Sequence, residues 1–595
     1  VTQKGVGVYD NNTGKIKNLS YNNDYGLKSS YFNEVQNFVI STNNYVWFSS
    51  DRLYRINTKT KETTTFLHET SFDLKGLTKV NDDIWVLTTK NLYKIVNNKK
   101  PEAINLNLEN IVSDKNIQLS SLNFTNNFLY FVINNQFLVK FDVLTERVIE
   151  YYSYQTLNIP KEKLLNISIV SVDNKLLLGT EYGFYIFDLR TSISERYLHN
   201  PYDKYSIKGN RVDYIFLDRN KHLWLCVFQK GLNKTEYFYN NFHSVYNIPG
   251  DPNSLPTNNV MSFYEDKQGI LWIGTYESSI IRYNPSDQKY TLFKSDTKNQ
   301  IGMDWGGPMA KIMEDKSGNL YFLSWINSFY VLEKSKNPDR NASKLIFTNI
   351  YDDEKWKLKF ERWALRDGFI DEEDNLWIAG FKRGAHRFNL KNREQENFDD
   401  GTNDTNRLGS ASYWCINKDI NGEIWAGSSD KGLHRYNPKT NFHKRYRYRN
   451  DNKGIPSDHI KCIYPDTDGT IWLGTGGGLC HFDPVKEVAI KNYSQEDGLS
   501  NNVIYGIMED NNGNFWLTSD NGLTRFNKKT GSANIYGPSN GLLNTEYNIN
   551  SFYKSRKGEL FIGGAAGFDR FFPDKITHNP YPAIPVIEGL KIGNI

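Results

Sequence analysis

The sequence predicts an all-β chain of two tandem seven-bladed β-propellers whose blades are four-stranded sheets. Three observations lead there. First, one motif keeps returning: a short apolar strand built on Trp, a tight turn, then Gly-Leu-x-Arg-Tyr/Phe-Asn-Pro. It reads ILWIGTYESSIIRYNP from Ile270, NLWIAGFKRGAHRFNL from Asn375, EIWAGSSDKGLHRYNP from Glu423 and TIWLGTGGGLCHFDP from Thr470, with weaker copies from His222, Asn514 and Glu559. Second, the period is regular, six steps between Trp272 and Phe561 at about 48 residues each, near the span of a propeller blade. Third, period-2 alternation with dense Gly and Asn turns argues for strands and against helices.

Each step holds four strand signals. Asn258 to Asp266 alternates polar and apolar residues and reads as the inner strand. Asp510 to Gly513 is turn chemistry, with Gly supplying a positive φ. The Trp strand and the Arg-Tyr strand follow, and Pro438-Lys-Thr440 turns into a polar outer strand beginning at Phe442. The Trp position, or its replacement, falls at Trp47, Trp85, Tyr130, Leu177, Trp224, Trp272, Tyr321, Trp377, Trp425, Trp472, Trp516 and Phe561. The large ring is expected between blades, and the small residue after it admits the adjacent sheet. Radial stacking leaves only short edges, because each face is covered by a neighbour.

Counting repeats places an N-terminal propeller at 1–245, its first blade partial because Val1 to Gly14 reads as the second half of one. A seven-bladed ring follows at 246–575. The tail 576–595 reads as the first strand of a further domain.

Composition bounds the rest. A net charge of +4 is too balanced for a nucleic-acid role, and no apolar run is long enough to span a bilayer. Cys226, Cys415, Cys462 and Cys480 show no metal-ligand or CxxC spacing and read as free thiols. Gly474 to Gly478 looks like a phosphate loop, and Asp466 to Gly469 like the start of a calcium loop. Both occupy slots that are turns in every repeat. His386, His434 and His481 read as blade positions, and the basic run His443 to Arg449 as an outer strand protected by charge. No catalytic residue, metal ligand or cofactor motif stands out.

Ligand residues are expected on the face where the loop after the Trp strand and the loop leading into the inner strand emerge together. Departures from the small polar consensus there are Trp305, Arg362, Trp363, Tyr413, Trp414 and His459 in one loop set. The other set gives Tyr276, Trp325, Lys382 and Arg383, and the first ring gives Tyr182 and Arg211. Trp and Tyr beside Arg and Lys suit a sugar: aromatic faces cover its C–H side and forked donors take hydroxyls or an acid group. The alternative is that these tryptophans plug the channel as core. Their neighbouring cations favour binding, since Arg and Lys are rarely buried unpaired.

The repeat Leu-Trp-Ile-Gly-Thr with Gly-Leu-x-Arg-Tyr-Asn-Pro resembles the two-component regulator propeller repeat. Tandem runs of it before an Ig-like triple-tyrosine domain resemble the sensor half of hybrid two-component systems of Bacteroides-type bacteria. The resemblance implies a periplasmic region of an inner-membrane protein, tethered through a C-terminal transmembrane helix to a histidine kinase and a DNA-binding output. It also implies oligosaccharide ligands and a homodimer, with no nucleic acid contacted by this region. A propeller lyase or glycosidase, and a protein-interaction scaffold, remain as other readings.

Overall fold

The structure is a computed structural model. It describes residues 7–576 apart from 11–14, 19–36, 41–44, 50–51, 58, 61, 67–72, 97–98, 109–110, 113–115, 161–166, 202–205, 219–220, 237–241, 295–306, 327, 352–355, 357–363, 382–383, 399–407, 409–411 and 452. The described residues form antiparallel sheets with three short 3-10 turns. The chain divides into two compact units between residues 237 and 238.

In the second unit the described residues form seven four-stranded sheets. Their inner strands are Val260–Glu265, Met309–Glu314, Leu365–Ile370, Tyr413–Lys418, Ile460–Pro465, Ile504–Glu509 and Tyr547–Lys554, here blades 1 to 7. Each inner strand lies beside the next, and that of blade 7 lies beside that of blade 1, so the ring closes. Blade 7 takes its outer strand from His243–Val245, which pairs with Gly567–Phe571. This corrects the boundary at 245: residues expected in the first ring seal the second. Ser244 Oγ donates to Asp569 Oδ1 (2.7 Å), and Phe242 packs edge-on against Phe571. The phrase FHSVYNIPG from Phe242 echoes FHKRYRYRN from Phe442, which opens the outer strand of blade 4.

Why these residues make blades is visible at the Trp strand, whose residues are buried on both faces in blades 1, 2, 4, 5, 6 and 7. Four of these Trp meet an aromatic on the third strand of the next blade, Trp377 with Tyr436, Trp425 with Phe482, Trp472 with Phe526 and Trp516 with Phe571, whereas Trp272 meets Phe322 on the second. The third-strand ring is the Tyr/Phe of the motif. Its Arg lies across the ladder from the Trp of its own blade, with Arg387, Arg435 and Arg525 guanidinium groups 5.4–5.7 Å from the ring centres. In blade 5 His481 stacks flat on Trp472, centroids 4.0 Å apart. Glycine after the Trp is a steric requirement: a Cβ on Gly427 would sit 2.5 Å from Cys415 Sγ and 2.6 Å from Ile460 of the next blade.

The turn before the Trp strand carries a second device. Its Asp accepts the indole N–H six residues on: Trp272 to Asp266 (2.8 Å), Trp377 to Asp371 (2.9 Å), Trp425 to Asp419 (2.9 Å), Trp472 to Asp466 (3.2 Å) and Trp516 to Asp510 (3.1 Å). In four of these turns the other carboxylate oxygen accepts the N–H of residue i+4, as Asp419 does from Glu423 (3.0 Å). One carboxylate thus satisfies the buried indole and the turn. Blade 7, with Phe561 in place of Trp, has Ser555 at this position.

In the first unit, taken by itself, the described residues form six sheets in chain order: one two-stranded, four four-stranded and one three-stranded. Trp47, Trp85, Tyr130 and Leu177 are buried on second strands as expected, while Trp224 is half-buried. Here some Asp-x-x-Gly turns give way to two-residue hairpins such as Asn126–Asn127, both at positive φ (49° and 66°), the conformation Asn tolerates. A seven-bladed ring for this unit stays a proposal. The tail 577–595 lies outside the described residues.

Cys415, Cys462 and Cys480 are buried free thiols and Cys226 is a half-buried one. Gly474 to Gly478 is a hairpin between strands, and the basic run begins in the outer strand Phe442–Tyr446 and continues past it, with Lys444, Arg447 and Arg449 paired with Glu487, Asp458 and Asp451. No metal-binding cluster occurs among the described residues.

Two outcomes follow. Asp419→Ala leaves the Trp425 indole N–H and the Glu423 N–H without their acceptor, and at roughly 1–3 kcal/mol per orphaned donor it should cost about 3 kcal/mol in urea unfolding. Ser555→Ala should cost about 1 kcal/mol or less. For Asp371, burial acts to raise the carboxyl, but hydrogen bonds from Trp377, Asn375 and Glu373 outweigh it and hold the group below its ordinary value. The unfolded chain therefore binds the proton more readily, so this stabilisation is present above about pH 4 and is lost as pH falls through the folded value. Unfolding measured from pH 7 to pH 3 should show a shallower acid limb for Asp371→Asn than for the native chain.

Candidate functional site

The loop set expected to share a face does so. In blades 1 to 5 the residue after the Trp strand donates its N–H to a carbonyl just before the inner strand: Tyr276 to Asn259, Trp325 to Pro308, Phe381 to Ala364, Ser429 to Ser412 and Gly476 to His459. These pairs rim one mouth of the second ring.

At that mouth every inner strand of blades 1 to 6 contains a one-residue register shift against its Trp strand, between Val260/Ser262, Met309/Lys311, Leu365/Asp367, Tyr413/Cys415, Ile460/Cys462 and Ile504/Gly506. A bulge leaves its extra residue off the ladder and re-aims the side chain. The extra residues are Met261, Ala310, Arg366, Trp414, Lys461 and Tyr505. The residues just before them, Val260, Met309, Leu365, Tyr413, Ile460 and Ile504, are buried.

This geometry corrects Tyr413. It is 1% exposed, packed edge-on to His434 within the blade 4 core, and cannot touch a ligand. The bulge turns its neighbour Trp414 to the mouth instead. Trp325, after the Trp strand of blade 2, packs edge-on to Trp414 (6.4 Å). The Arg366 guanidinium lies 4.0 Å from the Trp325 ring centre, 4.7 Å from Trp414 and 5.4 Å from Phe381, and Lys461 Nζ is 4.7 Å from Trp414. Arg366 Nε and Nη1 are buried without an acceptor among the described residues. Burial pulls the Arg366 guanidinium down. Burial, joined by the Arg366 charge, also holds Lys461 below the ordinary lysine value despite Cys415 and Asp520.

Blade 7 supplies the floor. Its inner strand shifts register by more than one residue between Tyr547 and Phe552, and Asn550, at φ +63°, donates its side-chain amide to the carbonyls of Arg366 (3.2 Å) and Trp414 (3.5 Å) in blades 3 and 4. Below this bridge the central channel opens into a cavity of about 410 Å³ lined by Asn550, Asp367, Lys311, Asn417, Cys415 and Cys462 among others. Lys311 pairs with Asp367 (3.0 Å).

Of the sequence candidates, the structure brings Trp325 and Trp414 together. Tyr276 and His459 are exposed at the same rim. In the first unit Tyr182 is capped by Arg196 (3.8 Å), and Arg211 is paired with Asp213 (2.7 Å) and stacked on Phe228 (4.2 Å), so both are engaged internally. Trp305, Arg362, Trp363, Lys382 and Arg383 lie outside the described residues. Arg366 and Lys461 were missed. Their signal is a charged residue directly after the first apolar residue of an inner strand, Leu365-Arg366 and Ile460-Lys461, a column held by Met261 and Ala310 in blades 1 and 2.

The bulge assignment separates two adjacent aromatics. Tyr413→Ala should destabilise the chain by about 3–5 kcal/mol, as for a large ring removed from a core, and Trp414→Ala by about 1 kcal/mol, both read from chemical denaturation.

Comparison with known proteins agrees with this architecture. Residues 254–277, 454–477 and 498–521 match the model of the two component regulator propeller family. A histidine kinase P4 of Formosa agariphila is 25% identical over 277 residues, 37% of this chain, and the match spans only about a fifth of that protein's length (20%). The crystal structure of the extracellular domain of BT3049, described as a hybrid two component system of B. thetaiotaomicron, superposes with a TM-score of 0.67 at 20% identity, covering 96% of this chain and 79% of that one. No helix among the described residues is long and apolar enough to cross a membrane. Three stretches of the second unit thus match the two component regulator propeller repeat.

Proposed function

We propose that this chain is the extracytoplasmic, ligand-binding sensor region of a hybrid two-component histidine kinase, lying in the periplasm and detecting oligosaccharides released from glycans. The observation that carries the reading is the mouth of the second ring, where two tryptophans, a phenylalanine and two cations without an ion-pair partner among the described residues converge at positions the blade repeat leaves free. Blade packing does not need them there: the same column holds Met261 and Ala310 in blades 1 and 2. Aromatic faces with forked donors suit a sugar ring and its substituents. The likeness to an extracellular sensor domain and to a histidine kinase supports the setting.

In this reading the kinase and the membrane anchor belong to the rest of the protein, and the region acts as a homodimer with two seven-bladed propellers per chain. The ligand favours one arrangement of propellers or protomers over another, because only differential affinity shifts such an equilibrium. The region binds without turnover.

A melting-shift screen against neutral and acidic oligosaccharides tests this. A cognate ligand at a hundredfold excess over its Kd should stabilise by about 2.7 kcal/mol, with no reducing ends or unsaturated products released on prolonged incubation. Turnover would replace the sensor with an enzyme, and a shift by a protein partner alone would replace it with a scaffold.

A further inference from the structure

The mouth of the second ring has an electrostatic deficit that narrows its ligand. Arg366 and Lys461 both approach Trp414, and neither makes a hydrogen bond or ion pair through its charged group among the described residues. Elsewhere in this unit several buried or half-buried cations are ion-paired, Arg340 with Asp266 (3.0 Å), Lys528 with Asp466 (2.8 Å) and Arg435 with Glu423 (2.6 Å), while Arg282 donates to the carbonyls of Arg340 and Ala342. Stacking satisfies the flat face of a guanidinium but not the N–H groups in its plane. Two like charges sharing one indole also repel one another, and both are pulled toward their neutral forms. The acidic groups nearby do not cure this. Asp520 bears on Tyr505 and reaches Lys461 through its charge alone, and Glu546 is exposed on the Tyr505 side. Around Trp414 the cations come from blades 3 and 5, and the carboxylates whose charge reaches Lys461 or Tyr505 come from blades 6 and 7.

Resting on the saccharide reading of this site, we propose that the second ring's mouth selects saccharides bearing an anionic oxygen group, a carboxylate or a sulfate ester. The in-plane donors of Arg366 and the ammonium of Lys461 take the anion, while Trp325 and Trp414 cover the adjoining sugar face. A planar fork suits two anionic oxygens at once, and such charge-assisted bonds are the strong ones. Asn550 holds the backbone of Arg366 and Trp414 to blade 7, so both are positioned before the ligand arrives.

The test is calorimetric titration of the full chain at low and high salt with four probes: a glucuronate-containing trisaccharide, a sulfated disaccharide, neutral saccharides of matching length, and inorganic sulfate. One or both acidic saccharides should bind at least about tenfold more tightly than their neutral counterparts, with the preference reduced by salt. The preference should collapse in Arg366→Gln and shrink in Lys461→Gln. Should Arg366→Gln fail to fold, Lys461→Gln carries the comparison, since Lys461 holds no structural partner through its ammonium. Equal binding of acidic and neutral saccharides would overturn the anion proposal and leave the saccharide reading standing. Retention of the preference in both variants would overturn the assignment to this mouth. Inorganic sulfate binding as tightly as the sulfated disaccharide would also overturn it, because the tryptophan faces would then contribute nothing. Binding of none of the saccharides would remove the saccharide reading and the proposal together.

Discussion

A strand buried on both faces cannot stand alone, and most of this architecture follows from that constraint. The five residues Ile424–Ser428 are all buried, as are Leu271–Thr275 and Ile471–Thr475. Each Trp strand requires a sheet on either side, and in the second unit the requirement is met by closing seven sheets on themselves. The motif's other residues serve the same end. Tyr or Phe of the third strand meets the preceding blade's Trp, and Gly after the Trp lets the next inner strand approach. Asp in the turn removes the penalty of burying an indole N–H. Closure relies on His243–Val245 and on Asp569, whose carboxyl burial pushes up to about 6 although Ser244, Leu543 and Tyr547 donate to it. The contribution of that carboxyl is greatest when it is protonated and falls as pH rises through 6.

Once packing claims the ladder residues, the ring has few positions left to vary, and the bulge at the start of each inner strand provides them. One residue per blade leaves the ladder at the mouth, and its identity is free of interblade packing. Met261 and Ala310 fill the slot with buried apolar side chains, whereas Arg366, Trp414, Lys461 and Tyr505 place charged or aromatic groups there. Charge and aromatic surface therefore gather on blades 3 to 6, and the deep insertion of blade 7 through Asn550 closes the space beneath them. Specialisation is confined to a ring of bulges carried by a rigid scaffold.

This division explains what the sequence revealed. The period, the Trp strands and the turns were legible because interblade packing repeats at every step, so the same residue types recur at Trp272, Trp377, Trp425, Trp472 and Trp516. That the two loop sets share a face was legible too, since strand direction follows from the order of the motif. Individual site residues were not, because a one-residue bulge on a single strand shifts every later side chain to the other face without altering composition. Tyr413 and Trp414 are adjacent aromatics in the sequence, yet one is core and the other faces the mouth. Arg366 and Lys461 sat inside a predicted strand and passed as ladder residues. The closure strand escaped because its partner lies more than three hundred residues away, a distance local patterning does not span. In the first unit the Asp-x-x-Gly signal weakens where Tyr130 and Leu177 replace Trp, since Leu has no N–H to satisfy and Asn126–Asn127 makes a shorter turn.

The central claim is that the bulges aim one residue per blade at the mouth while its neighbour stays in the core. Single cysteines at 413 and 414, and at 460 and 461, placed in a chain whose native cysteines are replaced by serine, would report it through the rate of labelling by a small thiol reagent under native conditions. Labelling is expected to be rapid at 414 and 461 and to require unfolding at 413 and 460. Equal rates within each pair, or rapid labelling at 413 and 460 alone, would contradict the account.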